Sequence, residues 1–333
     1  MGRRLQRGAS KGLPRARPNL PEATQATGSD PLSHDLPHAR TCDCPPSHIN
    51  CLTAAEWLQR QTGVWRFAYE KRDVRKKAVH PATYPLALAR QCIELLTHRG
   101  ELVVDPFVGS GTTLVAARDS GRSALGADLK PEYVALAEAR LAEEPHAEGT
   151  VQRASRLDAR DLPEEMEPST AALILTSPPY ANCLNRERRN KSRRSEDRVN
   201  DQYGQVEQYS QDPADLGTLG YEDYCLAMED IFRDLRRCLR PGGHCVVNVP
   251  DIWWNDERIP LHVGVIEALT EAGYEFRNTI IWDKTNIVNR MGIFGWPSNY
   301  ITAGVTFEYL LHFRLRERRD SGGDGSEASP PKT

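Results

Sequence analysis

Two short segments of this 333-residue chain combine residue types at spacings that can do chemistry. The first reads DPFVGSGTT over residues 105–113. Its glycines, Gly109 and Gly111, let a backbone approach a ligand closely, and a helix opening at Thr112 leaves free N–H groups aimed the same way. A lone GxG is common in tight turns, so its surroundings matter. Leu114 stands where the third glycine of a dinucleotide fingerprint would fall, and no lysine follows in the P-loop position, which weakens both standard phosphate readings. The next apolar stretch ends in GADL and puts Asp128 seventeen residues after Gly111. An acidic side chain at such a strand tip can accept bonds from ribose hydroxyls; it can also cap the helix that Pro131 opens. The second segment reads AALILTSPPY, ending at Tyr180. Two consecutive prolines cannot continue a central strand, because each lacks an N–H for the ladder. Ser177, Pro178, Pro179 and Tyr180 must therefore peel away rigidly where the strand ends. PPY alone fits a strand-ending turn over a packed tyrosine equally well.

Alternating strands and helices surround both segments. Strands are expected at 101–107, 123–129, 150–154, 171–176, 244–249, 275–282 and 306–313. Helices are expected at 54–61, 85–97, 112–120, 131–143, 221–239 and 261–272, the last two stopped by PGG and AG. This alternation predicts an α/β fold, a doubly wound, seven-stranded, mostly parallel sheet. Only a loop over 285–305 joins the last two strands, so they should form an antiparallel hairpin closing the sheet edge. Ligands in such sheets bind at the carboxyl ends of the strands, where both segments lie.

Composition excludes several classes. No apolar run approaches the roughly 18 residues of a membrane span, and no apolar stretch of a secretory signal follows the basic N-terminal residues. Eight cysteines without the dense spacing of a disulfide scaffold suit a reducing compartment, so a cytoplasmic location is expected. The Pro-rich residues 1–48 and the polar tail 317–333 should be disordered, leaving one domain over 49–316. Cys42, Cys44, His48 and Cys51 invite a zinc reading, but the C-x-C spacing is tighter than usual and no metal is expected. A net charge of -3 hides a polarised chain, with six basic and two acidic residues in 66–77 and seven and three in 186–198. Such polarity permits a polyanionic partner.

With GADLKPEYVALAEARL following it, DPFVGSGTT closely resembles the S-adenosylmethionine-binding region of bacterial amino-group DNA methyltransferases. The resemblance covers about residues 49–315 and implies a Rossmann-like class I methyltransferase whose cofactor is S-adenosyl-L-methionine. It implies that HPATYP, with Thr83 and Tyr84, touches the methionine end of the cofactor. Asp105, Phe107, Gly109, Ser110, Gly111 and Thr112 would form the cofactor turn, Asp128 would hold the ribose, and Asp158 in ASRLDARDLP would bond the adenine amino group.

In that family an exocyclic base amine is methylated. Such an amine is a poor nucleophile, because its lone pair is delocalised into the ring. Acceptors aimed at its N–H bonds, here Ser177 Oγ and the Pro178 carbonyl, can draw it toward tetrahedral geometry and stabilise the growing positive charge. Pro179 would stiffen the turn and the Tyr180 ring would stack on a flipped base. TSPPY resembles the version in cytosine-N4 enzymes, whereas adenine-N6 enzymes more often carry Asp or Asn at the position of Ser177. Cys183 lacks the Pro-Cys context of cytosine-C5 chemistry. The resemblance thus implies site-specific methylation of double-stranded DNA in restriction–modification, with a cognate restriction endonuclease as partner. The alternatives are adenine-N6 methylation and a non-catalytic DNA-binding module with a degenerate cofactor site. DNA contacts are expected from the 181–220 insert, through Arg186, Arg188, Arg189, Arg193 and Arg194, and from the 285–305 loop with Trp296 and Asn299.

Overall fold

A strand that reads apolar at all but its last position, such as AALILT, needs cover on both faces, and a doubly wound sheet supplies it with helices. The computed structural model describes residues 36–73, 83–181, 212, 214–254, 257–287, 295–296, 300–301 and 305–316. In chain order the elements are α1 (Ala54–Arg60), β1 (Val64–Trp65), α2 (Leu86–Leu96), β2 (Leu102–Asp105), α3 (Thr112–Asp119) and β3 (Ser123–Asp128). Next come α4 (Pro131–Leu141), β4 (Gln152–Arg156), β5 (Ala171–Thr176), α5 (Tyr221–Leu235), β6 (Leu239–Val249), β7 (Ile252–Trp254) and β8 (Glu257–Ile259). The last are α6 (Leu261–Glu271), β9 (Glu275–Asp283), β10 (Gly295–Trp296), β11 (Tyr300–Ile301) and β12 (Phe307–Arg314). Short 3-10 turns lie at Leu162–Glu165 and Leu216–Thr218.

Local sequence explains the helices. Thr53 and Glu56 cap α1 reciprocally, with Thr53 N–H donating to Glu56 Oε2 at 2.8 Å. In α5 the residues Tyr224, Met228, Ile231, Phe232 and Leu235 recur at helical spacing and are all buried. The main sheet runs β1-β9-β12-β6-β5-β2-β3-β4. From β6 to β4 the neighbours are parallel, while β12 is antiparallel to both β6 and β9. One apolar layer, with α5 and α6, covers one face of the sheet and a second, with α2 and α3, covers the other. Among the described residues, no helix is long and apolar enough to cross a membrane.

The expected α/β class and the antiparallel hairpin of β9 and β12 are present, and several features differ, among them the short antiparallel pairs β7–β8 and β10–β11, the second within 285–305. The sheet has eight strands, because the two-residue β1 pairs in parallel with β9 beyond the hairpin. The hairpin therefore does not close the edge, and β12 lies inside the sheet. The helix before β6 stops at Leu235, and PGG falls within β6 instead. Pairing toward β5 has already begun there, since Ser169 N–H and Ala171 N–H donate to the carbonyls of Arg237 and Cys238 at 2.8 and 2.9 Å. Residues 36–48, assigned from composition to the N-terminal extension, pack on the domain: Leu36 is buried in the core and Thr41 N–H bonds Arg99 O at 2.8 Å.

Candidate active site

The sheet reverses its winding between β2 and β5, because the chain leaves β2 toward β3 on one side and places β5 on the other. A crevice opens outside the carboxyl ends at such a point. Asp105 closes β2 there, buried. Its Oδ2 accepts from Thr113 Oγ1 at 2.5 Å, and its Oδ1 accepts from Thr176 Oγ1 at 2.6 Å and Phe107 N–H at 3.1 Å. One carboxylate thus ties the ends of β2 and β5 to the first turn of α3. Burial pushes the Asp105 carboxyl up to about 6, against the pull of those three bonds.

Behind the turn, the Tyr84 hydroxyl meets Thr113 Oγ1, and Thr83 O accepts from Tyr69 Oη at 2.9 Å. Gly111 caps α3 with a φ of 79°. A Cβ there would lie 2.7 Å from Ala137 Cβ, so the close approach of α3 to α4 demands the glycine. Buried Arg140 donates to Ser110 O at 2.5 Å and to Thr112 Oγ1 at 3.2 Å. Of the residues expected at the cofactor, Thr83, Tyr84, Asp105, Ser110, Gly111 and Thr112 are therefore placed around and behind the turn. Phe107, Gly109, Asp128 and Asp158 line the cleft itself.

That cleft, of about 650 Å³ when space open to solvent is included, spans the carboxyl ends of β2, β3, β4 and β5. Asp128 Oδ2 accepts from Gly109 N–H at 2.9 Å and Oδ1 from Lys130 N–H at 3.0 Å. The N-cap of α4 is Lys130, with no side-chain cap, so Asp128 braces the cofactor turn and does not cap the helix. Burial pushes its carboxyl up to about 6. Asp158 is held by Arg160, whose Nε and Nη2 reach its two oxygens at 2.9 and 2.8 Å. Arg160 Nη2 also donates to Ala214 O at 2.7 Å, joining the two lips of the cleft. Asp215, raised above the usual carboxylate range by burial, adds a third acid, with its Oδ1 accepting Gly217 N–H at 2.7 Å. Tyr133, with Lys130 Nζ 5.2 Å from its ring centroid, and the apolar Leu129, Leu157 and Leu216 complete the walls.

Ser177 and Pro179 form the facing wall. Ser177 Oγ lies 2.6 Å from Tyr180 Oη. Asn248, buried on β6, donates from Nδ2 to Glu308 Oε2 at 2.7 Å and to Tyr180 Oη at 3.2 Å. Glu308 also pairs with Lys284, and Asn248 presents its amide hydrogens to both Glu308 and Tyr180. Ser177 Oγ and Tyr180 Oη share one hydrogen, which either hydroxyl can donate. Tyr180 is only 9% exposed and is not among the residues that line the cleft; its hydroxyl lies against Ser177. The buried tyrosine of the alternative reading of PPY is what the structure contains.

Lys130, Tyr133, Arg160 and Asp215 line the cleft, and Asn248 and Glu308 stand behind Tyr180, without being singled out by sequence pattern. The polar Asn248 inside the apolar run CVVNV was a usable signal; the position of Asp215 after a long insert was not. Arg186, Arg188, Arg189, Arg193, Arg194, Cys183, Asn299 and the start of HPATYP lie outside the described residues, as does the side chain of Trp296.

The sequence profile of the DNA methylase family matches residues 44–139 and 171–321. The chain belongs to this family. Among curated relatives, the chain is 40% identical over 88 residues to the Type II methyltransferase M.BglI of Bacillus subtilis, a match covering 26% of this chain and 24% of that one. It is 47% identical over 62 residues to the Type II methyltransferase M.XycI of Xanthomonas campestris pv. cyanopsidis, covering 19% and 21%. The chain thus spans about a quarter of the length of these relatives. Among solved structures, a DNA modification methylase of Thermus thermophilus complexed with S-adenosyl-L-methionine is 21% identical, with a TM-score of 0.31 over 53% of this chain and 56% of that one.

The cofactor of this methylase family is S-adenosylmethionine, and the cleft's donor set fits it. Asp128 stands at the strand tip with acceptor capacity to spare for ribose hydroxyls, and Leu129, Leu157 and Leu216 offer apolar cover for a purine. Three carboxylates in one cleft suit a ligand carrying a sulfonium and an ammonium.

Proposed function

We propose that this methylase transfers a methyl group from S-adenosyl-L-methionine to the exocyclic N4 of cytosine in double-stranded DNA, at a specific site, in a restriction–modification setting. The observation that carries this reading is Ser177 Oγ, placed on the cleft wall opposite Asp128 and oriented by Tyr180. Bound cofactor supplies an electrophilic methyl on sulfur. The chain's own residues do the rest by positioning. Ser177 Oγ and Pro178 O accept from the two N–H bonds of the target amine, turning its lone pair outward toward the cleft. Pro179 keeps both acceptors fixed. Asp128 and Asp158 hold the nucleoside half of the cofactor, with Arg160 keeping Asp158 in place.

A base must leave the duplex to reach acceptors at this depth. The serine at 177 supports cytosine, while the same geometry would serve adenine N6 with little change. Incubation with duplex DNA and labelled cofactor, followed by digestion to nucleosides, tests the reading. N4-methylcytosine is the expected product. N6-methyladenine would reverse the base while keeping the mechanism, and neither product from a broad panel of duplexes would remove DNA as substrate.

A further inference from the structure

Four potential metal ligands meet at the opposite end of β2 from the cleft. Cys42, Cys44 and Cys51 come from the segment before α1, and His98 follows α2; their ligand atoms all lie within 4.8 Å of one another. His98 Nδ1 is 3.5 Å from both Cys42 Sγ and Cys51 Sγ, and those sulfurs are 3.2 Å apart. Zinc–sulfur bonds of about 2.3 Å and zinc–nitrogen bonds of about 2.0–2.1 Å at tetrahedral angles give ligand separations of about 3.5 Å for S···N and about 3.8 Å for S···S. The nitrogen separations match directly, and the sulfur pair needs to open by about half an ångström to match. The tight C-x-C spacing that argued against a metal is offset by His98, which the fold delivers in place of His48.

The surroundings suit thiolates. Arg40 Nε donates to Cys42 Sγ at 3.2 Å, and Arg99 N–H donates to Cys51 Sγ at 3.4 Å. Such outer donors steady sulfur ligands and offset their charge. The three cysteines are only half-buried, unlike Cys92, Cys238 and Cys245, which are buried within the apolar core. The backbone is fixed around them. Ile49 and Leu52 bond each other through both backbone pairs at 2.8 and 2.9 Å, and Asn50 Nδ2 donates to Leu95 O at 2.7 Å. Opposite, a Cβ on Gly100 would come within 2.4 Å of Ala39 O, so residues 39–41 lie tight against the turn after α2.

We propose that Cys42, Cys44, Cys51 and His98 bind one zinc ion that staples the segment before α1 to the α2–β2 turn. Four protein ligands fill a tetrahedral shell and leave no open position, so the ion is structural. Soft sulfur with one imidazole selects zinc over magnesium or calcium. The site is independent of the methyl-transfer reading.

The test uses the full chain, purified under reducing conditions without chelator and measured for metal by mass spectrometry. About one zinc per chain is expected, and cobalt exchanged in its place should give the thiolate charge-transfer band and the visible bands of a tetrahedral site. Cys51→Ser and His98→Ala should lose the metal, His98→Cys should keep it, and His48→Ala and Cys225→Ser should keep it unchanged. Chelation should lower the melting temperature, and added zinc should restore it. Absence of zinc together with failure to take up cobalt would overturn the proposal, using wild-type protein alone. Iron in place of zinc, a Cys42–Cys51 disulfide in the unreduced protein, or full zinc in both Cys51→Ser and His98→Ala would overturn it as well.

Discussion

Asp128 combines burial, two backbone bonds and a place at the mouth of the cleft, so its ionisation should govern cofactor affinity. Asp128→Asn should weaken S-adenosylmethionine binding by about 1.5–3 kcal/mol, the range for hydrogen bonds to a charged group. In the wild type the carboxyl, pushed up to about 6, gains its proton as pH falls through that value. Calorimetric affinity should drop over the same window, and the asparagine variant should show a smaller drop there. The folding contribution has a related sign. Asp105 and Asp128 both sit at about 6 when folded against 3.8 as the reference value, so what they add to stability is fullest below pH 3.8 and is lost as pH rises to about 6. Ser177 and Tyr180 make a separate pair. Removing one charge-assisted acceptor with Ser177→Ala should slow turnover by about ten- to a hundredfold, with cofactor affinity unchanged. Since the Tyr180 hydroxyl acts through Ser177, Tyr180→Phe should slow the wild type yet add nothing to Ser177→Ala. An additive double variant in single-turnover measurements would mean that the hydroxyl touches the base itself.

Among the elements, α3 is the one whose placement makes the site, and Gly111 is its hinge with α4. Gly111→Ala must strain a left-handed φ and push into Ala137, so it should cost about 1–3 kcal/mol of stability in denaturant unfolding. Cofactor affinity should fall only as far as the turn is displaced. The sequence made this element legible, because glycines and an apolar period mark a strand–turn–helix without tertiary information. Strands β2, β3 and β5 were legible for the same reason, and β5 matches its expected bounds. Strand β1 was not: two residues carry no period, and only the edge of β9 makes them a strand. PGG misled for a similar reason, since its use as a helix stop yields to the pairing of residues beside β5. At the site, Asp128 and Ser177 were readable from their places at strand ends. Arg160, Asp215 and Glu308 were not, because each acts through a partner distant in sequence.

Over the whole molecule, charge separates by region. The cleft sets Asp128, Asp158 and Asp215 against Lys130 and Arg160, a small acidic excess that favours a cationic cofactor over a phosphate backbone. On the proposed function, DNA would be held by basic segments outside it, and the sequence offers two, residues 66–77 and 186–198. In the first, Arg66 and Arg72 are paired with Asp283 and Asp119, which reduces what those two can give to phosphate. The second segment therefore should carry more of the backbone binding. Replacing Arg188, Arg189, Arg193 and Arg194 with Gln should flatten the dependence of log affinity on log salt by about 0.9 for each phosphate no longer neutralised. Cofactor binding should not change, because the residues assigned to the cofactor are others. Titrations of duplex DNA at several salt concentrations measure both slopes. An unchanged slope in a folded variant would assign the segment to solvent and leave phosphate binding to the remaining basic residues of 66–77, where Lys71→Gln would be the next substitution to read.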